Sequence, residues 1–206
     1  MAIDSTLDAS SANAYEPSKT ALLLLDWYSL FIERLAAGSK GTRARDVTIQ
    51  FRRWAKAQGI IIIHCLIDVN GSPFPACKGR ERSQETLEAI KGSGNSEPAG
   101  LRDDSELYFY RVLGHISALK SPGLLKYLQE QGIKSLILTG LSTSGCVLRT
   151  ALAGTDDEFA ITVISDACAD RDEDLHRVIL DKILPSRGHV KSSAEFQHEF
   201  EGVFKE

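Results

Sequence analysis

No apolar run in this chain approaches the ~18–20 residues that span a bilayer, so no membrane-spanning helix is expected. Basic blocks are also missing. Twenty-four Lys and Arg face 28 Asp and Glu, for a formal net charge of −4, which points away from nucleic acid and anionic membranes as partners. Cysteine is scarce and irregularly spaced. Cys65, Cys77, Cys146 and Cys168 form no CxxC pair, so a disulfide framework is not expected. That usage fits a reduced, cytoplasmic setting. The opening stretch "MAIDSTLDASSANAYEPSKT" lacks a positive segment followed by an apolar one, so no signal peptide is expected. Its Ser, Ala and Asp content predicts a mobile arm over residues 1–15. No internal repeat or linker divides the rest, and residues 16–206 are expected to form one domain.

What is present is a regular alternation of short apolar runs with helical stretches. "TALLLLD" (Thr20–Asp26), "IIIIHCLID" (Ile60–Asp68), "ELYFYRV", "KSLILTG" and "FAITVISDA" read as strands, and "HVKSS" as a short last one. Between them, "TRARDVTIQFRRWAKAQG" predicts a helix whose apolar side carries Val47, Ile49, Phe51 and Trp54. Further helices are expected near Glu85–Lys91, in "SPGLLKYLQEQG", in "CVLRTALAG", in "DEDLHRVILDKIL" and in "AEFQHEFEG". About six strands joined by helices imply an α/β, Rossmann-like domain: a mostly parallel sheet with helices on both faces.

Ligands of such sheets bind beyond the carboxyl ends of the strands. Three polar residues fall at strand ends of this kind. Asp26 closes the first strand, Arg111 lies near the end of the aromatic strand, and Cys146 follows "LILTG" where the next helix begins. A thiol at a helix N-terminus meets the positive end of the dipole and unpaired N–H groups, both of which favour thiolate. The competing reading of Cys146 is a small core hydrophobe. Asp26, after five apolar residues, either ends its strand in water or is held by a partner.

The stretches "LLLLDWYSLF", "HISALKSPGLLKYLQEQGIKSLILTGLSTSGCVLRTALAG" and "TVISDACAD" are similar to the isochorismatase-like cysteine hydrolase superfamily, in order, from Thr20 to about Ile183. The resemblance implies a catalytic set of Asp26 as general base, Cys146 as nucleophile and a cation on the third strand. Relatives carry Lys there; this chain offers Arg111, 35 residues before Cys146. Arginine can hold a thiolate but does not relay a proton. His115 is an alternative, and Lys120 falls after the motif. The resemblance further implies a cis peptide at Leu141–Ser142 and an oxyanion hole from the N–H groups of Ser142 and Cys146. It assigns substrate contacts to Trp27, Tyr28, Phe31, His115 and Leu119.

Nicotinamidases of the superfamily bind a metal through an Asp/His cluster after the second strand. Here "HCLIDVNGSPF" holds His64 and Asp68 without a second histidine, so His64 reads as a satisfied core group and no metal or cofactor is expected. Cys65 reads as core, and His176 as support for the "SDACAD" corner. The expected activity is hydrolysis of a small-molecule carboxamide or related C–N bond through a thioester. The alternatives are vinyl-ether hydrolysis releasing pyruvate, as in isochorismatase, and a catalytically silent relative that binds a small molecule or protein. The resemblance also implies a homo-oligomer, a dimer or tetramer.

Overall fold

Strand β1, Thr20–Leu25, is buried along its whole length. Its leucines alternate between two cores because successive side chains of a strand point to opposite faces. Leu23 and Leu25 join Leu124, Leu128, Leu148 and Ala151 on one side. Leu22 and Leu24 join Phe51, Ala55, Phe196 and Phe200 on the other. The computed structural model in which this is seen describes residues 8–35, 40–94 and 96–204.

The remaining strands are β2 (Ile61–Asp68), β3 (Leu107–Val112), β4 (Ser135–Leu141), β5 (Ala160–Ala169) and β6 (His189–Lys191). They form one sheet in the order β3-β2-β1-β4-β5-β6. Every neighbouring pair is parallel. The helices are α1 (Ser29–Leu35), α2 (Lys40–Ala57), α3 (Arg80–Gly92), α4 (Leu124–Glu130), α5 (Leu148–Asp156), α6 (Glu173–Val178) and α7 (Ser193–Phe204). Helices α2 and α7 cover one face; α4 and α5 cover the other. The expected α/β architecture is therefore the one observed. Among the described residues, no helix is long and apolar enough to cross a membrane.

Local details depart from the sequence pattern for identifiable reasons. Helix α2 turns Gly41, Ala44, Thr48, Phe51 and Ala55 inward, at alternating spacings of three and four. Of the four apolar residues expected on its inner side, Phe51 is fully buried, whereas Val47, Ile49 and Trp54 are only partly buried against the core. Helix α1 had no periodic signal, and α3 begins at Arg80, five residues ahead of the expected segment. Of the arm expected over residues 1–15, residues 1–7 lie outside the described residues. Residues 12–14 form a short turn that buries Ala12 in the α2/α7 core, and Asn13 donates to Glu199 at 3.1 Å.

The chain leaves β1 toward β2 on one side and has β4 on the other. This reversal opens a crevice at the carboxyl ends of β1 and β4, the place where open α/β sheets bind ligands. At the same end, the pairing of β4 with β5 shifts register between Leu138 and Gly140. Gly140 sits at φ +153°, and a Cβ there would lie 2.4 Å from the Leu25 carbonyl oxygen. Only glycine lets β4 pass β1 this closely beside the crevice.

Candidate active site

Asp26 is the first residue beyond β1. Its N–H donates to the Cys65 carbonyl at 3.0 Å, and its φ of 54° turns the chain out of the strand. Asp is among the few non-glycine residues that accept this left-handed conformation. Arg111, one residue from the end of β3, reaches across β2 and grips the Asp26 carboxylate with two hydrogen bonds. Nη1 donates to Oδ1 at 2.9 Å and Nη2 to Oδ2 at 2.6 Å. Two further donors go to carbonyls, Nε to His115 at 3.0 Å and Nη1 to Leu66 at 3.4 Å. Burial opposes the guanidinium charge, but the Asp26 carboxylate outweighs it and holds Arg111 protonated even more firmly than usual.

Cys146 lies in an irregular turn, Thr143–Val147, that joins β4 to α5, with Gly145 departing from helical geometry. The Leu141–Ser142 peptide is cis. Side chains from the next corner hold the turn. Asp170 Oδ2 accepts the Ser144 N–H at 2.7 Å, and Thr143 Oγ1 pairs with His176 Nδ1 at 2.8 Å. Burial lowers the pKa of His176, which favours a neutral imidazole in this bond. The Cys146 sulfur is 3.7 Å from Thr150 Oγ1. That hydroxyl also accepts the Ala118 N–H at 2.9 Å, which holds it in place beside the sulfur.

The thiol's charge state differs from the expectation of a poised thiolate. Burial, and after it the Asp26 carboxylate, push the Cys146 thiol up to about 12, against the opposing pull of Arg111 and Thr150. Cys146 is 3% exposed, and the desolvation of a thiolate there works against the partial charge at the distorted helix start. In the resting protein the proton stays on sulfur, with Asp26 as its neighbour.

Asp26, Arg111, Ser142 and Cys146 line a single cavity of about 430 Å³. Phe31 and His115 line it as well. Trp27, Tyr28 and Leu119 do not. Trp27 is fully buried in the α2/α7 core and donates from Nε1 to Thr139 Oγ1 at 3.3 Å. The Tyr28 hydroxyl bridges the β2 backbone, accepting from the Ile67 N–H at 2.9 Å and donating to the Ile67 carbonyl at 3.0 Å. Leu119 is core on the α4/α5 face. The "DWYSLF" segment therefore sends two aromatics inward and one to the cavity, which residue type alone does not decide. The lining also includes Arg34, Arg82, Thr86, Ser144, Asp170 and Arg171, none of which the sequence pattern singled out. They arrive from α1, α3 and the corners after β4 and β5, so no local motif links them.

His64 is fully buried and bridges Glu97 and Glu106, at 2.7 Å from Nδ1 and 2.9 Å from Nε2, with its ring stacked on Tyr108. Its two nitrogens are thus committed in opposite directions, as expected of a satisfied core histidine. Among the described residues, no three His, Cys, Asp or Glu side chains converge on a metal-sized point. All four cysteines are free.

Comparison with known proteins bears on the family and the fold. The family described as the isochorismatase domain matches residues 20–195. A protein of Arabidopsis thaliana named a probable inactive nicotinamidase is 29% identical over 164 residues, covering 76% of this chain and 84% of that protein. Maleamate amidohydrolase of Pseudomonas putida is 32% identical over 76 residues, 37% of this chain and 36% of that enzyme. Among solved structures, a cysteine hydrolase from Pseudomonas syringae superposes with a TM-score of 0.75 at 19% identity, covering 92% of this chain and 96% of that one, which shows a shared fold.

Proposed function

This chain belongs to the isochorismatase family, and from that premise we propose that it is a cysteine-dependent hydrolase of a small carboxamide or related C–N bond. The observation that carries the reading is the convergence of a protonated thiol, a carboxylate and a fixed cation in one cavity. The partial likeness to maleamate amidohydrolase supports an amide as the bond broken.

Asp26 accepts the Cys146 proton as the sulfur attacks the substrate carbonyl, so a free thiolate never has to persist in the buried site. The carbonyl oxygen takes up the negative charge against the Ser142 and Cys146 N–H groups. The tetrahedral intermediate collapses, the C–N bond breaks, and the proton held by Asp26 leaves with the amine. Water then gives a proton to Asp26 and adds to the thioester. The acid departs and the thiol recovers its proton. Arg111 fixes the Asp26 oxygens and keeps a positive charge beside the developing anion, while remaining protonated throughout.

Ammonia release from a panel of primary amides by the wild type, Cys146→Ala and Asp26→Asn, with mass spectrometry of the quenched enzyme, tests this reading. Turnover lost in both variants and an acyl adduct on Cys146 support it. Pyruvate release from isochorismate that survives Cys146→Ala would overturn it. A second reading, a silent ligand-binding relative, is favoured by the double clamp of Arg111 on Asp26 and by the inactive designation of the Arabidopsis protein. Absence of an adduct with every amide, together with saturable ligand binding, would establish it.

A further inference from the structure

Helical threonines commonly spend the hydroxyl proton on the carbonyl one turn back. In this chain Thr48 Oγ1 donates to the Ala44 carbonyl at 2.8 Å, and Thr86 Oγ1 to that of Arg82 at 2.9 Å. Thr150, on α5 and fully buried, makes no such bond to the carbonyl of Cys146 four residues earlier. Among the described residues its Oγ1 has two partners. The Ala118 N–H donates to it at 2.9 Å, and the Cys146 sulfur lies 3.7 Å away. Residues four apart share a helix face, so the start of α5 sets this hydroxyl against the sulfur. Ala118 belongs to the short turn Ala118–Lys120 that follows β3, so a second element fixes the same oxygen.

Charge decides the direction of the contact with sulfur. In the resting protein either the thiol or the hydroxyl can donate. Once the Cys146 proton has passed to Asp26, the sulfur has none to give. The hydroxyl, already an acceptor for Ala118, is then the donor. Thr150 is not among the residues that line the cavity, so it meets the sulfur from the protein side. An anion in so buried a place is costly, and a hydrogen bond to a charged atom is stronger than one between neutral groups. Arg111 acts on the sulfur through its charge, while its hydrogen bonds go to Asp26 and to the carbonyls of His115 and Leu66. We propose that Thr150 is a further catalytic residue, whose hydroxyl donates to the Cys146 sulfur whenever that sulfur is anionic. Two steps call on it. In the attack, the S–H bond breaks toward the Asp26 carboxylate, the S–C bond forms, and the carbonyl π pair moves to oxygen. In thioester hydrolysis the S–C bond breaks and its electron pair returns to sulfur, the leaving group. Thr150 keeps its own proton in both. The same contact lowers the thiol pKa against the upward push of burial. The proposal rests on the amidase reading for these two steps, but the effect of the hydroxyl on the thiolate can be read without turnover.

Two arms separate the claims. In the first, the full-length wild type, Thr150→Val and Thr150→Ser are labelled with iodoacetamide between pH 7 and 10, and the Cys146 peptide is followed by mass spectrometry. Thiolate is the reacting form, so the rate tracks its abundance. Loss of a charge-assisted hydrogen bond raises the thiol pKa by about one unit or more, and the greater nucleophilicity of a more basic thiolate returns part of the rate. Thr150→Val is therefore expected to label at least about threefold more slowly, and Thr150→Ser to stay within about twofold of the wild type. A merely structural role has the opposite sign, because looser packing exposes the sulfur and speeds labelling. Labelling of Thr150→Val as fast as the wild type, or faster, would overturn the proposal. Urea unfolding checks that each variant is folded, and Thr150→Ala takes the place of the valine variant if it is not. In the second arm, kcat/KM for a hydrolysed amide should fall at least about tenfold in Thr150→Val and recover in Thr150→Ser. Unchanged turnover in Thr150→Val opposes the proposal. If no amide turns over in the wild type while labelling slows with valine and recovers with serine, the amidase reading fails and the thiolate contact stands.

Discussion

Arg111 and Asp26, 85 positions apart in sequence, meet as a fork on a fork, with hydrogen bonds of 2.9 and 2.6 Å and both side chains almost wholly buried. Among the described residues, neither charge has another group of opposite sign so close. Removing either partner leaves an uncompensated buried charge, a loss of about 3–5 kcal/mol. Arg111→Ala and Asp26→Ala are each expected to fall in that range by urea unfolding, and the double variant is expected to lose clearly less than their sum. Additive losses would show that the pair is not coupled. Arg111→Lys, which keeps the charge but not the bidentate geometry, should lie between the wild type and Arg111→Ala.

Asp26→Asn should separate thiol reactivity from turnover. The Asp26 carboxylate helps hold the Cys146 thiol up near 12, and Arg111 pulls the other way. Removing the carboxylate's charge therefore lowers the thiol pKa, and iodoacetamide should label Cys146 faster at pH 8 than in the wild type. Amide hydrolysis should fall by at least about 100-fold, since the proton acceptor is gone. Labelling that slows in the variant would mean that Asp26 activates the thiol in the resting state.

Alkaline pH should destabilise the fold through buried sulfur. Burial raises the Cys168 thiol to about 12, as it does Cys146. A thiol in the unfolded chain titrates near ~8.5. Because the folded pKa is the higher one, the stabilisation is complete below about pH 8.5 and is lost as pH rises toward 12. Each such thiol contributes a slope of about 1.4 kcal/mol per pH unit within that window. Cys168→Ala should show a shallower fall in unfolding free energy between pH 9 and 11; a slope unchanged from the wild type would contradict the burial argument.

Gly140→Ala tests the close passage of β4 over β1. The added Cβ would meet the Leu25 carbonyl oxygen at 2.4 Å and Leu25 Cβ at 2.5 Å, in a backbone conformation that side chains rarely adopt. The neighbours are strand backbone and cannot swing aside. A loss of at least about 3 kcal/mol in thermal or urea unfolding is expected, from overpacking and strain together. Activity should fall too, because Ser142 and Cys146 follow directly on that strand.

The amino-acid sequence by itself determined the strand and helix alternation, the parallel sheet, and the placing of Asp26, Arg111 and Cys146 at one edge of it. Those properties are written in short-range signals: apolar runs of five or six residues, glycine and proline stops, and the order of elements along the chain. Tertiary structure decided which members of "DWYSLF" face the cavity, since Trp27 and Tyr28 turn inward to satisfy a polar atom on Thr139 and the backbone of Ile67. It also decided the protonation of Cys146, where desolvation by distant side chains outweighs the local helix start. The meeting of Arg34, Arg82 and Arg171 at the cavity likewise appears only in three dimensions. Residues 34, 82 and 171 share no period or spacing, and they meet because the sheet brings the ends of separate β-α units together around one crevice.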